Sequence, residues 1–152
     1  MQVETLRDVL HWTREYHQCL ADCLQDSVDQ NESERAKMLL KYLGEHEQKL
    51  VTVLEGFEKG ADENALNTWC YEYFDKHPVI RHQQCECPFS ELGTTEIMTE
   101  ITTLNQQVIE LYRYLQSRAE SEGGKELLSQ LSELEKHEAM RMVTSANRLE
   151  DL

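Results

Sequence analysis

The sequence predicts an all-α protein, a bundle of four long helices arranged as two hairpins. Apolar residues recur three and four positions apart in four separate stretches, which is the period of a helix buried along one face. Both prolines, Pro78 and Pro88, fall between the second and third of these stretches, and most glycines lie at their boundaries. Two hairpins of equal length can bury four apolar stripes against one another, so we expect one helical-bundle domain spanning 1–152.

The four long helices are predicted at about 3–28, 32–58, 94–119 and 125–149. The apolar seam of the first comprises Val3, Leu6, Leu10, Thr13, His17, Leu20 and Leu24. A turn, DQNESE, separates the first two helices, and its Asn31 with Glu34 is predicted to form a capping box. A second turn, SEGGK, separates the last two. Helices of about 25 residues would each be roughly 37 Å long.

The crossover, 60–93, joins the two hairpins. Asp62 is predicted to cap a short extra helix here that runs through Trp69, Tyr71 and Phe74. Pro78 ends it because the residue before a proline avoids helical angles. The crossover is long enough to run the length of the bundle, so the third helix need not be antiparallel to the second. Its aromatic residues are Trp69, Tyr71, Tyr73 and Phe74. We expect them to hold the crossover on the bundle or to form a partner-binding patch.

The charge balance excludes several classes of partner. The chain has 29 acidic and 15 basic residues and a formal net charge of −14, so its surface should repel nucleic acid and anionic lipid headgroups. No apolar run approaches the roughly 20 residues that span a bilayer. The N-terminus lacks the basic start and apolar block of a secretory signal, so we expect a cytoplasmic protein. Five cysteines, an odd number, favour reduced thiols over a disulfide framework.

One motif occurs twice. Residues 40–47, LKYLGEHE, and 131–138, LSELEKHE, both fit L-x-x-L-x-x-H-E at an offset of 91 positions. The same offset aligns many seam positions of the two hairpins, which suggests an internal pseudo-twofold. Since side chains three and four apart share a helix face, His46 and His137 should lie near mid-bundle at the edge of the apolar stripe.

The repeated motif predicts a candidate metal site. Its candidate ligands are His46, Glu47, His137 and Glu138, with Glu133 and His17 as further members. Mixed imidazole and carboxylate ligands suit one transition metal such as iron, manganese or zinc. The alternative is that both histidines are hydrogen-bonded core or edge residues and that the glutamates are solvated.

The crossover contains a second candidate metal site. The stretch HPVIRHQQCEC carries His77, His82, Cys85 and Cys87. Thiolate and imidazole ligands suit zinc or iron, but structural sites ordinarily draw on two separated ligand pairs. The alternative is a surface loop with reduced thiols.

Two hairpins, a long connection and acid-plus-histidine pairs midway along the second and fourth helices resemble the ferritin-like superfamily, especially rubrerythrin-type bundles. The stretch LLKYLGEHEQKLVTVLEGF is similar to the second helix of such proteins. The resemblance implies a di-iron centre held by Glu-x-x-His on helices two and four and by one glutamate on each other helix. It also implies redox activity toward dioxygen, peroxide or iron. Here Leu43 and Leu134 stand three residues before His46 and His137, so the ligand set is altered.

Two classes of function follow. The first is a ferritin-like bundle that binds a transition metal at mid-bundle and has a redox role. The second is a metal-free bundle that acts as an interaction or regulatory protein. The sequence has no glycine-rich phosphate loop, no G-x-S-x-G and no H-E-x-x-H, and it leaves enzymatic activity open. We expect a homodimer, with the helix flank around Tyr112, Arg113 and Tyr114 as a candidate dimer surface, and a further protein partner is compatible with the sequence.

Overall fold

The computed structural model describes residues 4–70 and 88–150. Its helices are α1 (Leu6–Val28), α2 (Glu34–Gly60), the short α3 (Glu63–Leu66), α4 (Thr94–Arg118) and α5 (Glu122–Glu150). A turn of 3-10 helix, Pro88–Glu91, precedes α4. The all-α prediction is confirmed, and each end of the four long helices lies within three residues of its predicted position. Only the start of the predicted crossover helix is present, as the single turn α3, which ends at Leu66 rather than continuing through Trp69. Asp62 is its N-cap residue but makes no side-chain capping hydrogen bond.

The side chain of Asn31, in the turn between α1 and α2, hydrogen-bonds to one end of the crossover. Its buried side-chain amide donates to the carbonyl oxygens of Phe89 and Leu92, each at 3.0 Å. Its Oδ1 accepts from the backbone N–H of Ser33 at 2.9 Å. Ser33, rather than Asn31, is the N-cap of α2, so the predicted capping box with Glu34 is wrong. The amide of Asn31 serves long-range contacts instead of the helix terminus.

The crossover begins at the opposite end of the bundle. The backbone N–H of Leu6 donates to the carbonyl of Thr68 at 2.8 Å, and that of Cys70 donates to the carbonyl of Glu4 at 2.7 Å. The chain therefore leaves α2 beside the start of α1 and rejoins the bundle at Asn31. As a result α4 runs parallel to α2, and α5 runs parallel to α1.

The burial pattern corrects the predicted register of the internal repeat. Each buried residue of α4 lies 88 positions after a buried residue of α1, from Ile97 and Val9 onward. On α2 and α5 the same offset pairs Glu47 with Glu135, both buried. The predicted offset of 91 instead pairs buried Leu50 with an exposed arginine. The offset of 91 equals thirteen heptads. It therefore matches many apolar seam positions although it does not match the buried residues of the two hairpins.

Among the described helices, none combines the length and the apolar character that crossing a membrane requires.

Gly44, in the middle of α2, is expected to tolerate alanine. An added Cβ would lie 2.9 Å from Nε2 of Gln25, which is the mobile end of an exposed side chain. Alanine is favoured over glycine within a helix by about 1 kcal/mol. We therefore expect Gly44→Ala to raise the free energy of unfolding in urea by up to about 1 kcal/mol.

Gly124, in the first turn of α5, provides the matched contrast. An added Cβ would collide with Thr68 Oγ1 and lie 2.7 Å from Ser121 Oγ. These two hydroxyls share a hydrogen bond of 3.1 Å, and Ser121 Oγ also accepts from the Gly124 N–H. We expect Gly124→Ala to lower the free energy of unfolding by about 1–3 kcal/mol, as overpacking does. The same sign for both variants would contradict this account.

Candidate functional site

A triad of ionisable side chains, Glu47–His17–Glu135, lies in the core of the bundle. His17 comes from α1, Glu47 from α2 and Glu135 from α5, and all three side chains are buried. His17 Nδ1 lies 2.5 Å from Glu47 Oε2, and His17 Nε2 lies 2.8 Å from Glu135 Oε1. Carboxylates only accept hydrogen bonds, so both ring nitrogens act as donors.

This arrangement holds His17 in its charged form. Burial alone would lower the pKa of His17. The charges of Glu135 and Glu47 and their hydrogen bonds outweigh burial and raise the pKa to about 10. The site is therefore an imidazolium clamped between two carboxyl groups at neutral pH.

Two buried tyrosines line the triad. The ring of Tyr16 meets that of His17 edge-on at 5.7 Å, and its hydroxyl donates to the carbonyl of Leu104 at 3.2 Å. Tyr112 donates to Thr13 Oγ1 at 2.7 Å. Burial, and then the nearby carboxylates, raise the pKa of both tyrosines. The prediction that Tyr112 forms a dimer surface is wrong, because this side chain lies in the core.

Three buried side-chain oxygen atoms have no hydrogen-bond partner among the described residues: Glu47 Oε1, Asn105 Oδ1 and Gln107 Oε1. Asn105 lies 88 positions after His17, so it is the counterpart of His17 in the second hairpin. Its side-chain N–H donates to Met142 Sδ at 3.6 Å. The triad thus keeps one free acceptor oxygen on Glu47.

The structure brings only two of the predicted mid-bundle residues, His17 and Glu47, into the triad. His46 and Glu138 contact each other at the boundary of α2 and α5, and the ring of His46 stacks on Tyr42 at 5.7 Å. They form a separate pair near the surface.

His137 and Glu133 are exposed on α5, so His137 lies further from the core than the predicted edge of the apolar stripe. Between 131 and 141, the buried residues of α5 are Leu131, Ser132 and Glu135. His137 follows Glu135 by two residues, which turns it about 200° around the helix. The sequence predicts His137 at the edge of the apolar face, whereas Glu135 occupies the buried position.

Sequence reasoning missed Glu135, although a signal was present. Glu135 lies four residues after Leu131 and seven after Leu128, so it occupies the apolar seam of its helix. A glutamate at a seam position needs a partner when it is buried. His17, a seam residue of the first helix, is that partner.

The triad does not fit a dinuclear metal centre. In the Glu-x-x-His pattern of the ferritin-like resemblance, Glu47 and Glu135 stand at the glutamate positions, while Leu50 and Glu138 follow three residues later. The nitrogens of His17 point to different carboxylates, so one ion could reach only one of them. Within 4–70 and 88–150, no three His, Cys, Asp or Glu side chains are grouped to hold a metal ion.

The second candidate metal site, with His77, His82, Cys85 and Cys87, lies outside the described residues. Of the crossover aromatics, only Trp69 is described, and its side chain is exposed.

No protein-family model and no curated protein matches the chain. The chain does match a solved structure, the crystal structure of a provisionally assigned ferritin-like diiron-carboxylate protein from Thermotoga maritima. The TM-score is 0.58 at 10% sequence identity, and the match covers 94% of this chain and 95% of that chain. At such identity the similarity shows the fold alone. The fold is ferritin-like, as the sequence predicts.

Proposed function

We propose that the protein is a metal-free ferritin-like bundle that acts as an interaction or regulatory protein. The metal-free part of this proposal rests on one observation. One ring nitrogen of His17 contacts Glu47 and the other contacts Glu135. A protonated imidazole nitrogen has no lone pair to give to a metal. Glu47 and Glu135 therefore engage both nitrogens of His17 at the depth where a ferritin-like relative would hold its ions.

The interaction role is supported by the outer surface of α2 and α5. Large apolar side chains are exposed there, namely Met38, Val53, Met140 and Val143. Contiguous exposed apolar surface marks sites where another protein binds, and Val53 and Met140 line the same hollow between α2 and α5. The predicted homodimer, the cytoplasmic location and the single-domain extent stay predictions from the sequence.

A single transition-metal site with a redox role is the second candidate function. Two observations favour it: the unpartnered Glu47 Oε1, and the described class of the similar Thermotoga maritima protein. Iron, manganese or zinc would be held by Glu47 and by His17 Nδ1, the nitrogen that Glu47 contacts. Binding would require His17 to lose a proton that its neighbours strongly favour.

Elemental analysis of protein purified without chelator separates the two functions. We expect less than about 0.1 equivalent of iron, manganese or zinc per chain. We also expect no rise in melting temperature when each metal is added. A metal that bound only the native state would raise the melting temperature. The reason is that His17 offers no free nitrogen at neutral pH.

Three variants identify the source of any metal. Near-stoichiometric metal that His17→Gln abolishes and His11→Gln retains would contradict the metal-free proposal. Metal lost only from a Cys85→Ser, Cys87→Ser variant would belong to the crossover and would leave the triad metal-free.

A further inference from the structure

A groove runs along the outside of the bundle between α2 and α5, from Met38 to Val53 on one wall and from His137 to Leu149 on the other. It consists of two adjoining hollows of about 560 and 460 Å³. Tyr42 closes its floor by donating a hydrogen bond of 2.8 Å to Ser145 Oγ. We call this feature the α2–α5 groove.

The α2–α5 groove presents apolar side chains to solvent. Met38 is 51% exposed, Val53 is 42% exposed and Met140 is 61% exposed. Methionine is flexible and polarizable, so it adapts to the side chains of a binding partner. An apolar surface that follows a groove for several turns is the receptor half of helix-in-groove binding.

The α2–α5 groove is lined by more cationic than acidic side chains, the opposite of the protein as a whole. Its lining cations are Lys41, Lys49, Arg141 and Arg148, and its lining carboxylates are Glu45 and Glu138. The chain as a whole has 29 acidic and 15 basic residues. A locally cationic groove on an acidic protein attracts an anionic partner and repels the rest of its own surface.

The length of the groove defines the size of the partner. Met38 and Val53 are fifteen residues apart on α2, which corresponds to about 22 Å at 1.5 Å per residue. This length fits about four turns of a partner helix. A twofold contact would place two copies of this net cationic groove against each other, which disfavours a second copy.

We propose that the α2–α5 groove binds an acidic amphipathic helix of another protein. The apolar stripe of that helix packs on Met38, Val53 and Met140, and its flanking carboxylates face Arg141 and Arg148. This inference rests on the proposed interaction role and names the site and the chemistry of the partner.

A displayed library of random 16-residue peptides tests the proposal. The library is selected against the whole protein in the presence of EDTA. We expect the enriched peptides to carry net negative charge and apolar residues at i, i+3 or i+4, and i+7. The double variant R141E/R148E should weaken their binding at least tenfold, whereas Arg113→Glu, an exposed arginine on α4, should leave it unchanged. Circular dichroism checks that each variant is folded.

Four outcomes would overturn the proposal. Peptides without a charge bias, or peptides that bind R141E/R148E as tightly as the original protein, would place partner binding on another surface and leave the interaction role standing. No enrichment of any peptide would count against both the groove and the interaction role. A dimer in sedimentation velocity that R141E/R148E converts to monomer would assign the groove to a second copy of this chain. The metal content of the triad reports separately on the metal-free proposal.

Discussion

Replacing His17 by methionine is expected to lower the free energy of unfolding by about 3–5 kcal/mol, which is typical when one partner of a buried ion pair is removed. Glu47 and Glu135 would remain buried without the donor that each contacts now. Each would then have to take up a proton or draw water into the core, and both cost free energy. Urea denaturation followed by circular dichroism measures the change.

His11→Met is the matched control. His11 lies on the same helix, is partly exposed and contacts Glu15 at 3.0 Å. An exposed ion pair contributes at most about 1 kcal/mol, so this variant should remain close to the original protein. Equal losses of unfolding free energy in the His11 and His17 variants would show that the buried triad stabilises the protein no more than the partly exposed His11–Glu15 pair.

A triple variant tests the same point from the other direction. Replacing His17 by methionine and both Glu47 and Glu135 by leucine removes every ionisable group of the triad together. Apolar replacements of whole buried ion clusters are often neutral or stabilising by about 1–4 kcal/mol. We expect the triple variant to recover most of the stability that His17→Met loses. A triple variant no more stable than the single one would mean that the triad is needed for packing.

Stability is also expected to fall between pH 6.5 and 9, by about 1 kcal/mol for each pH unit. Native His17 keeps its proton up to about pH 10, whereas in the unfolded chain it loses the proton near 6.5. The native state therefore binds more protons in this interval, so raising the pH favours unfolding. The contribution is complete below pH 6.5 and is lost as the pH approaches 10.

The upper limit of pH 9 separates the titration of His17 from that of the buried cysteine and tyrosines. Burial raises the pKa of Cys70 above its ordinary value of 9.0, and that of Tyr16 and Tyr112 above 10.0. These groups add their own loss of stability at higher pH. Urea midpoints measured at half-unit steps from pH 6.5 to 9 should slope downward in the original protein. They should be nearly flat in the triple variant, and an equal slope in both would rule out His17 as the cause.

The candidate site shows why residues inside a helix are harder to assign than the helix itself. His17 and Glu47 could be named as candidates because each follows the apolar spacing of its own helix. Glu135 and His137 are two positions apart on α5, and helical spacing alone does not say which one turns inward. That choice depends on how α5 is rotated against α1, which packing between distant segments determines.

The sequence by itself determined the four long helices, their limits and the ferritin-like arrangement of two hairpins, because apolar periodicity and the placement of breakers act within each segment. Only the tertiary structure decided the register between the hairpins and the identity of the triad. A change of three in the offset, from 91 to 88, leaves each helix unchanged but pairs buried Glu47 with buried Glu135 instead of with Glu138. Charges from α1, α2 and α5 meet only after folding, and their mutual hydrogen bonds make the buried site stable.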